Sequence, residues 1–109
     1  MRLKHNIIIV AFISIAFAFT KQDVPVLPEG FVYVKSVIPD LDVELRYYTS
    51  NNFVGDTIDG YASNELILTE QAAQALRLVK EELEVQNICL KVYDGYRPQR
   101  AVNHFMHWA

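Results

Sequence analysis

The segment LKVYDGYRP, residues 90–98, decides how this chain folds around its most informative turn. Residues 88–93 are mostly apolar and rich in β-forming side chains, which predicts a short strand. Pro98 is typical of the first turn of a helix. Residues 94–97 are therefore predicted to form a turn between a strand and a helix. Rigid elements fix the side chains of such a turn and leave them exposed, which suits a functional site.

Arg97 is the strongest candidate for function in this turn. It precedes the predicted helix, whose first N–H groups have no partner inside the helix. A guanidinium held there can bind a carboxylate or stabilise a developing oxyanion, and Asp94 can orient it through a charge-assisted hydrogen bond. The alternative is an ion pair that only stabilises the turn. Taken without other information, the two residues favour that plainer alternative.

Two further strands and a long loop are predicted upstream of the turn. Residues 31–37 alternate and contain many β-formers, and residues 43–48 place Val43, Leu45 and Tyr47 on one face. Residues 49–60 are polar and contain several Asn, Asp and Gly, so they are predicted to form a loop. Loops of this length in a compact domain are often functional.

Two helices complete the predicted elements. The first has Thr69 as its N-cap, Glu70 in its first turn and a Lys80–Glu84 pair one turn apart. The second follows Pro98, and its helical spacing places Trp108 in the core. The predicted apolar faces are Ala72, Leu76, Val79 and Leu83 in the first helix, and Ala101, Val102, Phe105, Met106 and Ala109 in the second.

Two other residue types are weighed as possible sites. His104 and His107 are three residues apart on the second helix, so they can in principle face one metal ion. We favour the alternative, that both occupy polar positions on the outer face of the helix. Cys89 is the only cysteine and lies in an apolar segment, which predicts a buried structural thiol.

The first residues have the character of a secretory signal. Arg2 and Lys4 precede an apolar stretch, and Ala16-Phe17-Ala18 fits a cleavage site, so residues 1–18 are expected to be a signal peptide. The apolar stretch is shorter than the roughly 20 residues of a membrane span, which favours cleavage and no stable membrane anchor. Residues 19–30, with two prolines, are expected to form an extended lead-in.

Size and charge exclude several functional classes. With 109 residues the chain holds one domain at most. The formal net charge is −3, and loss of Arg2 and Lys4 with the leader takes it to −5. An acidic chain argues against nucleic acid or an anionic membrane as partner.

Three motifs, in order, resemble one enzyme family. Residues 94–98 (DGYRP), with RAVN at 100–103 and FMxWA at 105–109, closely resemble the D-alanyl-D-alanine dipeptidases. These are zinc D,D-peptidases of the peptidase M15 group, which act on bacterial cell-wall peptides. LRY at 45–47 precedes NFVG at 52–55, and Gly60-Tyr61 follows, as in that family. The resemblance covers about residues 40–109.

The resemblance implies a fold and a set of site residues. The fold is expected to be α+β, with helices packed on a small antiparallel sheet in a Hedgehog-like arrangement, and residues 31–109 form the N-terminal portion of the catalytic domain. Arg97 is expected to stabilise the transition state with Asp94 in support. The candidates for the substrate pocket are Tyr47, Asn52, Phe53, Gly55, Tyr61 and Tyr96; the alternative is that these residues only pack beneath the loop.

The resemblance also implies one zinc ion, whose ligands this sequence lacks. In the family, two histidines and an aspartate bind zinc and a glutamate is the general base. They lie in later Ser-x-His-x-x-Gly-x-x-x-Asp and Glu-x-x-His motifs, and neither motif occurs here. The chain is therefore expected to be a fragment, truncated at its C-terminus, with no metal ligand and no catalytic activity. The expected partner is the dipeptide D-Ala-D-Ala.

Several alternatives remain open. The chain is alternatively a non-catalytic remnant that binds D-amino-acid peptides, or part of a related cell-wall D,D-carboxypeptidase. The leader predicts secretion to the periplasm or cell envelope of a bacterium, which favours wall turnover over glycopeptide resistance. Oligomeric state is not predicted.

Overall fold

The computed structural model describes residues 24–109 and, apart from them, only Ala16. The predicted signal peptide, residues 1–18, thus falls outside the described residues except for Ala16. The elements are β1 (Phe31–Tyr33), a 3-10 turn (Val34–Ser36), β2 (Asp42–Val43), β3 (Ile67–Thr69), α1 (Glu70–Val85), β4 (Lys91–Val92) and α2 (Gln99–Trp108). The predicted α+β fold class is confirmed.

The strands form two small sheets of opposite kinds. β1 pairs antiparallel with β3, so that Val32 lies opposite Leu68. β2 pairs with β4 in parallel, with Val43 opposite Val92. Only the first pair has the predicted antiparallel direction. The second is parallel because a crossover that includes α1 joins its strands, and parallel neighbours need such a long connection.

The first two strands are shorter than predicted. Of residues 31–37, only the first three form a strand, and the 3-10 turn follows. The Ile38 N–H donates to the Val34 carbonyl at 2.8 Å, and both side chains are buried. Of residues 43–48, only Val43 lies in a strand, and Leu45 turns into the core. In the first segment the apolar positions were read as strand alternation, whereas the 3-10 turn buries Val34.

The start of α1 is as predicted, but its inner face is as predicted only in part. The Thr69 hydroxyl accepts the Ala72 N–H at 3.2 Å, which confirms the N-cap. Ala73 and Lys80 are the buried positions, whereas Ala72 and Val79 are exposed. Leu76 packs against the core and Leu83 is half-buried, as predicted. The prediction was therefore wrong only for Ala72 and Val79, because docking of α1 on β1 and β3 sets which face is covered.

The end of α1 has a local cause. Asn87 has a φ of 56° and donates its N–H to the Glu84 carbonyl at 3.0 Å. Asparagine tolerates this left-handed conformation, which stops a helix. Cys89 follows and is exposed, so its predicted burial was wrong. The reason is that β4 begins only at Lys91, which leaves Cys89 outside the sheet.

α2 buries less than its sequence predicts. Only Ala101 is fully buried and Phe105 is partly buried, whereas Trp108 is exposed rather than in the core. The other predicted inner residues, Val102, Met106 and Ala109, are exposed as well. α2 contacts its neighbours through one narrow face, so the side chains on either side of that face remain exposed to solvent.

The core lies between α1, β1 and the turns around β2. Its buried members are Val34, Ile38, Leu45, Leu66 and Ala73. Within residues 24–109, neither helix has the length and apolar character that crossing a membrane requires.

Candidate functional site

The turn at residues 94–97 lies directly on β3. A side-chain carbon added at Gly95 would come within 2.6 Å of the Ile67 carbonyl oxygen and of a Leu66 methyl group. The Tyr96 N–H donates to the same Ile67 oxygen at 2.8 Å. Glycine is required here because the backbone of the turn approaches β3 so closely. This contact fixes the backbone position from which the side chains of Asp94 and Arg97 extend.

Asp94 is held at both carboxylate oxygens. The Tyr61 hydroxyl donates to Oδ1 at 2.9 Å, and Arg97 donates to Oδ2 from Nε at 3.2 Å and from Nη2 at 2.9 Å. The predicted contact between Asp94 and Arg97 is therefore present. The hydrogen bonding of the Arg97 guanidinium to the Asp94 carboxylate raises the pKa of Arg97, so its positive charge is secure. Burial, and then the bond to Asp94, raise the pKa of Tyr61 well above its ordinary range.

Aromatic rings fix the Arg97 guanidinium from other sides. Its central carbon lies 5.3 Å from the centre of the Tyr47 ring and 5.4 Å from that of Phe105. A cation over an aromatic face is attracted by the negative charge of that face. The guanidinium is thus oriented by one carboxylate and two rings, while it still faces solvent in part.

These rings belong to a larger aromatic cluster. Tyr47 lies 5.6 Å from Tyr61 and 5.1 Å from Phe105, measured between ring centres. Phe53 lies 5.1 Å from Phe105 and 5.2 Å from Trp108. The structure thus brings together Tyr47, Phe53 and Tyr61, which were predicted as pocket residues. Phe105 and Trp108 were missed as site residues, although their spacing of one helical turn was a usable signal.

Asn52 and Gly55 shape the loop of residues 49–60. The Asn52 amide nitrogen lies 3.1, 2.9 and 2.8 Å from the carbonyls of Arg46, Thr49 and Asp56. Its amide oxygen accepts the N–H groups of Val54 and Gly55. Gly55 has a φ of +80°, which favours glycine. The side chain of Asn52 is thus committed to the loop backbone beside the aromatic cluster.

The end of the loop of residues 49–60 contacts α2 and the proline that precedes it. A side-chain carbon at Gly60 would lie 2.8 Å from Pro98 Cγ. The Asp59 N–H donates to His104 Nδ1 at 3.1 Å. His104 is partly buried, so its predicted place on the outer face was wrong, whereas His107 is exposed as expected.

A cleft of about 290 Å³ opens beside the cluster. It is lined by Arg46, Tyr47, Asn52, Phe53, Tyr93 and Asp94. The Arg46 guanidinium lies 4.3 Å above the centre of the Tyr93 ring. The sequence reasoning missed Arg46 and Tyr93 as site residues, because they meet only where β4 passes beside the turn after β2.

Tyr96 lies apart from the other predicted pocket residues. Its ring packs edge-on against Phe31 at 5.7 Å between centres. It lines a different hollow of about 230 Å³, which reaches Asp94 and Tyr61 but neither Tyr47 nor Phe53. Successive residues of the turn thus point into different surroundings.

Comparison with known proteins assigns the family. A profile of the D-Ala-D-Ala dipeptidases, peptidase M15, matches residues 28–109. The chain belongs to this family. It is 39% identical over 80 residues to a D-alanyl-D-alanine dipeptidase of Enterococcus faecium, an alignment that covers 73% of this chain and 40% of that protein.

Other dipeptidases of the family show the same partial coverage. A D-alanyl-D-alanine dipeptidase of Streptomyces coelicolor is 35% identical, over 72% of this chain and 39% of that protein. One of Escherichia coli is 34% identical, over 60% of this chain and 33% of that protein. The chain thus spans about 40% of the length of the first relatives it matches.

The peptidase M15 family is generally zinc-dependent. Among residues 24–109, no three His, Cys, Asp or Glu side chains are placed to hold one metal ion. The described residues therefore do not fit a zinc ion by themselves.

Proposed function

We propose that this chain forms the part of a D-Ala-D-Ala dipeptidase that binds the dipeptide and polarises its peptide carbonyl. The observation that carries this proposal is the oriented Arg97 guanidinium. It is bonded to Asp94, packed against two rings and still open to solvent. The names of the relatives support the dipeptide as substrate rather than a longer peptide.

The chemistry of peptide hydrolysis explains how such a guanidinium acts. Attack of water on a peptide carbonyl moves negative charge onto the carbonyl oxygen. Donors fixed in advance stabilise that charge without the reorganisation that water would need. Arg97 provides a permanent positive charge and N–H donors, and Asp94 holds it in place. Asp94 itself acts as a positioning residue, because both of its oxygens already accept hydrogen bonds.

For the 109-residue chain alone, we propose binding of D-Ala-D-Ala without hydrolysis. This second candidate function is supported by the family resemblance, which implies zinc-ligand motifs that the sequence does not contain. We also propose that the protein acts in the periplasm or cell envelope, in wall turnover. The signal-like residues 1–18 support that location, and they lie outside the described part of the chain.

A titration of the full chain with D-Ala-D-Ala tests the binding part of the proposal. Saturable shifts in nitrogen–proton correlation spectra are expected for the wild type. Arg97→Gln is expected to weaken binding by about tenfold to a hundredfold, the usual worth of a hydrogen bond to a charged group. Arg100→Gln is the matched control, since Arg100 lies three residues after Arg97, in the first turn of α2, and is exposed. It is expected to bind as the wild type does.

Two results would contradict this proposal. One is the absence of saturable binding by the wild type, and the other is equal affinity in the wild type and Arg97→Gln. Preference for D-Ala-D-Ala over L-Ala-L-Ala is also expected, because the cleft would be shaped for D-residues. Equal affinity for the two dipeptides would instead indicate a general peptide-binding surface that does not distinguish D-residues from L-residues.

The hydrolytic part is tested by sequencing the encoding DNA beyond codon 109. Continuation into the Ser-x-His-x-x-Gly-x-x-x-Asp and Glu-x-x-His motifs would support a dipeptidase in which Arg97 faces the reacting carbonyl. A stop codon directly after codon 109 would leave binding without hydrolysis as the function.

A further inference from the structure

We propose that Arg46 binds the free carboxylate at the C-terminal end of the dipeptide. This inference rests on the proposed function and assigns a second cation of the same site to a different group of the ligand. Arg97 meets the peptide carbonyl, and Arg46 meets the carboxylate one residue further along. Tyr47 connects them, since it follows Arg46 in the chain and lies beneath the Arg97 guanidinium.

Arg46 is fixed at both of its ends. Its carbonyl oxygen accepts hydrogen bonds from the Asn52 amide at 3.1 Å and from the Thr49 hydroxyl at 3.1 Å and N–H at 3.2 Å. Its guanidinium carbon lies over the Tyr93 ring, 4.3 Å from the ring centre. A side chain held in this way loses little further freedom when it binds a ligand.

The N–H donors of Arg46 remain available to a ligand. The nearest carboxylate oxygen belongs to Glu44 and lies 3.6 Å away, beyond hydrogen-bonding distance. Glu44 is also shared, because it lies 3.6 Å from Lys91 and accepts a long hydrogen bond from Asn51 at 3.4 Å. Within residues 24–109, no atom accepts a hydrogen bond from the Arg46 guanidinium. A carboxylate in the cleft would therefore meet unoccupied donors.

The cleft beside Arg46 suits a small anion. It has a volume of about 290 Å³, and the carboxylate that lines it, Asp94, is already neutralised by Arg97. A guanidinium presents paired N–H groups that match the two oxygens of a carboxylate. Recognition of this carboxylate would select ligands whose chain ends one residue after the reacting carbonyl. Peptides extended beyond that residue would lack the charge at Arg46.

Two ligands that differ only in this carboxylate test the assignment. The full chain is titrated with D-Ala-D-Ala and with D-alanyl-D-alanine amide, which has no carboxylate. The wild type is expected to bind the amide about tenfold to a hundredfold more weakly. In Arg46→Gln, affinity for D-Ala-D-Ala is expected to fall to that of the amide, while affinity for the amide stays unchanged. Arg97→Gln should weaken both ligands, because both contain the peptide carbonyl.

Arg77→Gln is the matched control. Arg77 is similarly exposed, at 39% of its side chain against 44% for Arg46, and also has a glutamate partner, but it lies on α1 outside the cleft. It is expected to keep the wild-type preference for the acid over the amide. A second variant, Glu44→Gln, leaves Arg46 intact and removes its nearest negative charge. It is expected to strengthen binding of D-Ala-D-Ala by about twofold without affecting the amide.

The outcomes separate this inference from the proposed function. Retention of the acid preference in Arg46→Gln, or equal weakening of both ligands, would overturn the role of Arg46 while the role of Arg97 stands. Failure of the wild type to bind D-Ala-D-Ala would overturn the proposed function as well. If Arg46→Gln loses its native spectrum, an unchanged ratio of the two affinities in Glu44→Gln overturns the assignment, and a raised ratio supports it.

Discussion

Two cation–carboxylate pairs of this protein differ in which partner is buried: the cation in one pair and the carboxylate in the other. On α1, Lys80 is turned inward with 10% of its side chain exposed, while its partner Asp40 is 75% exposed. At the turn before α2, Asp94 is turned inward with 19% exposed, while its partner Arg97 is 44% exposed. The cation Lys80 is thus largely buried, whereas the cation Arg97 is exposed to solvent.

The difference separates a structural pair from a candidate binding group. Lys80 donates to Asp40 at 2.7 Å and also to Glu84. The hydrogen bond to Asp40, and then the bond to Glu84, raise the pKa of Lys80, while Lys80 lowers the pKa of Asp40. Both groups are therefore charged near neutral pH, and Lys80 has its partners inside the protein. Arg97 is equally secure in charge, but it keeps an open face toward solvent.

The largest effect is expected from the packing that carries the Arg97 turn. Gly95→Ala would force a side-chain carbon against the Ile67 carbonyl and the Leu66 methyl group. The free energy of unfolding is expected to fall by about 1–3 kcal/mol, the usual cost of overpacking, as measured by urea denaturation. Ligand affinity should fall as well, because the turn must move away from β3.

Gly55→Ala is the control for Gly95→Ala. Gly55 has a positive φ but nothing within 4 Å of an added side-chain carbon, so only backbone strain is introduced. A smaller cost of about 1 kcal/mol is expected. A Gly95→Ala variant as stable as Gly55→Ala would show that the turn is not pressed against β3.

A smaller effect is expected when the two pairs are broken separately. Asp94→Asn removes the charge that orients Arg97, and the affinity for D-Ala-D-Ala is expected to fall about tenfold. Lys80→Met keeps an apolar stem in place and lies away from the cleft. It should lower the melting temperature but change the Kd by no more than about twofold. Equal loss of affinity in the two variants would remove the distinction between the pairs.

The smallest effect is a change of stability at high pH that depends on Tyr61. Burial and the hydrogen bond to Asp94 raise the pKa of Tyr61 above its ordinary value of 10.0. The native state therefore keeps the proton at a pH where the unfolded chain has lost it. This stabilisation is complete below pH 10.0 and is lost as the pH rises further.

Unfolding by urea at several pH values above 10.0 measures this effect. The wild type is expected to lose stability faster than Tyr61→Phe, by at most about 1.4 kcal/mol per pH unit. Tyr48→Phe, which removes an exposed tyrosine, is the control and should keep the wild-type slope. Parallel slopes for the wild type and Tyr61→Phe would show that folding does not raise the pKa of Tyr61.

Features that depend on near neighbours in the chain could be predicted from the residue pattern alone. Thr69 caps α1 through an N–H three residues away, and Pro98 precedes the first residue of α2. Asp94 reaches Arg97 across a single turn, and the loop of residues 49–60 follows from its polar composition. These features need few residues and short contacts, so the residue pattern predicts them.

The faces of the helices and strands that pack together could be seen only in the tertiary structure. α1 is rotated so that Lys80, rather than Val79, points inward, because α1 docks on β1 and β3. Arg46 meets Tyr93, and Arg97 meets Tyr47, across elements that are distant in the chain. A side chain's local pattern says that it can be buried or stacked but does not name its distant partner. The second cation of the candidate site, Arg46, was therefore visible only after the chain had folded.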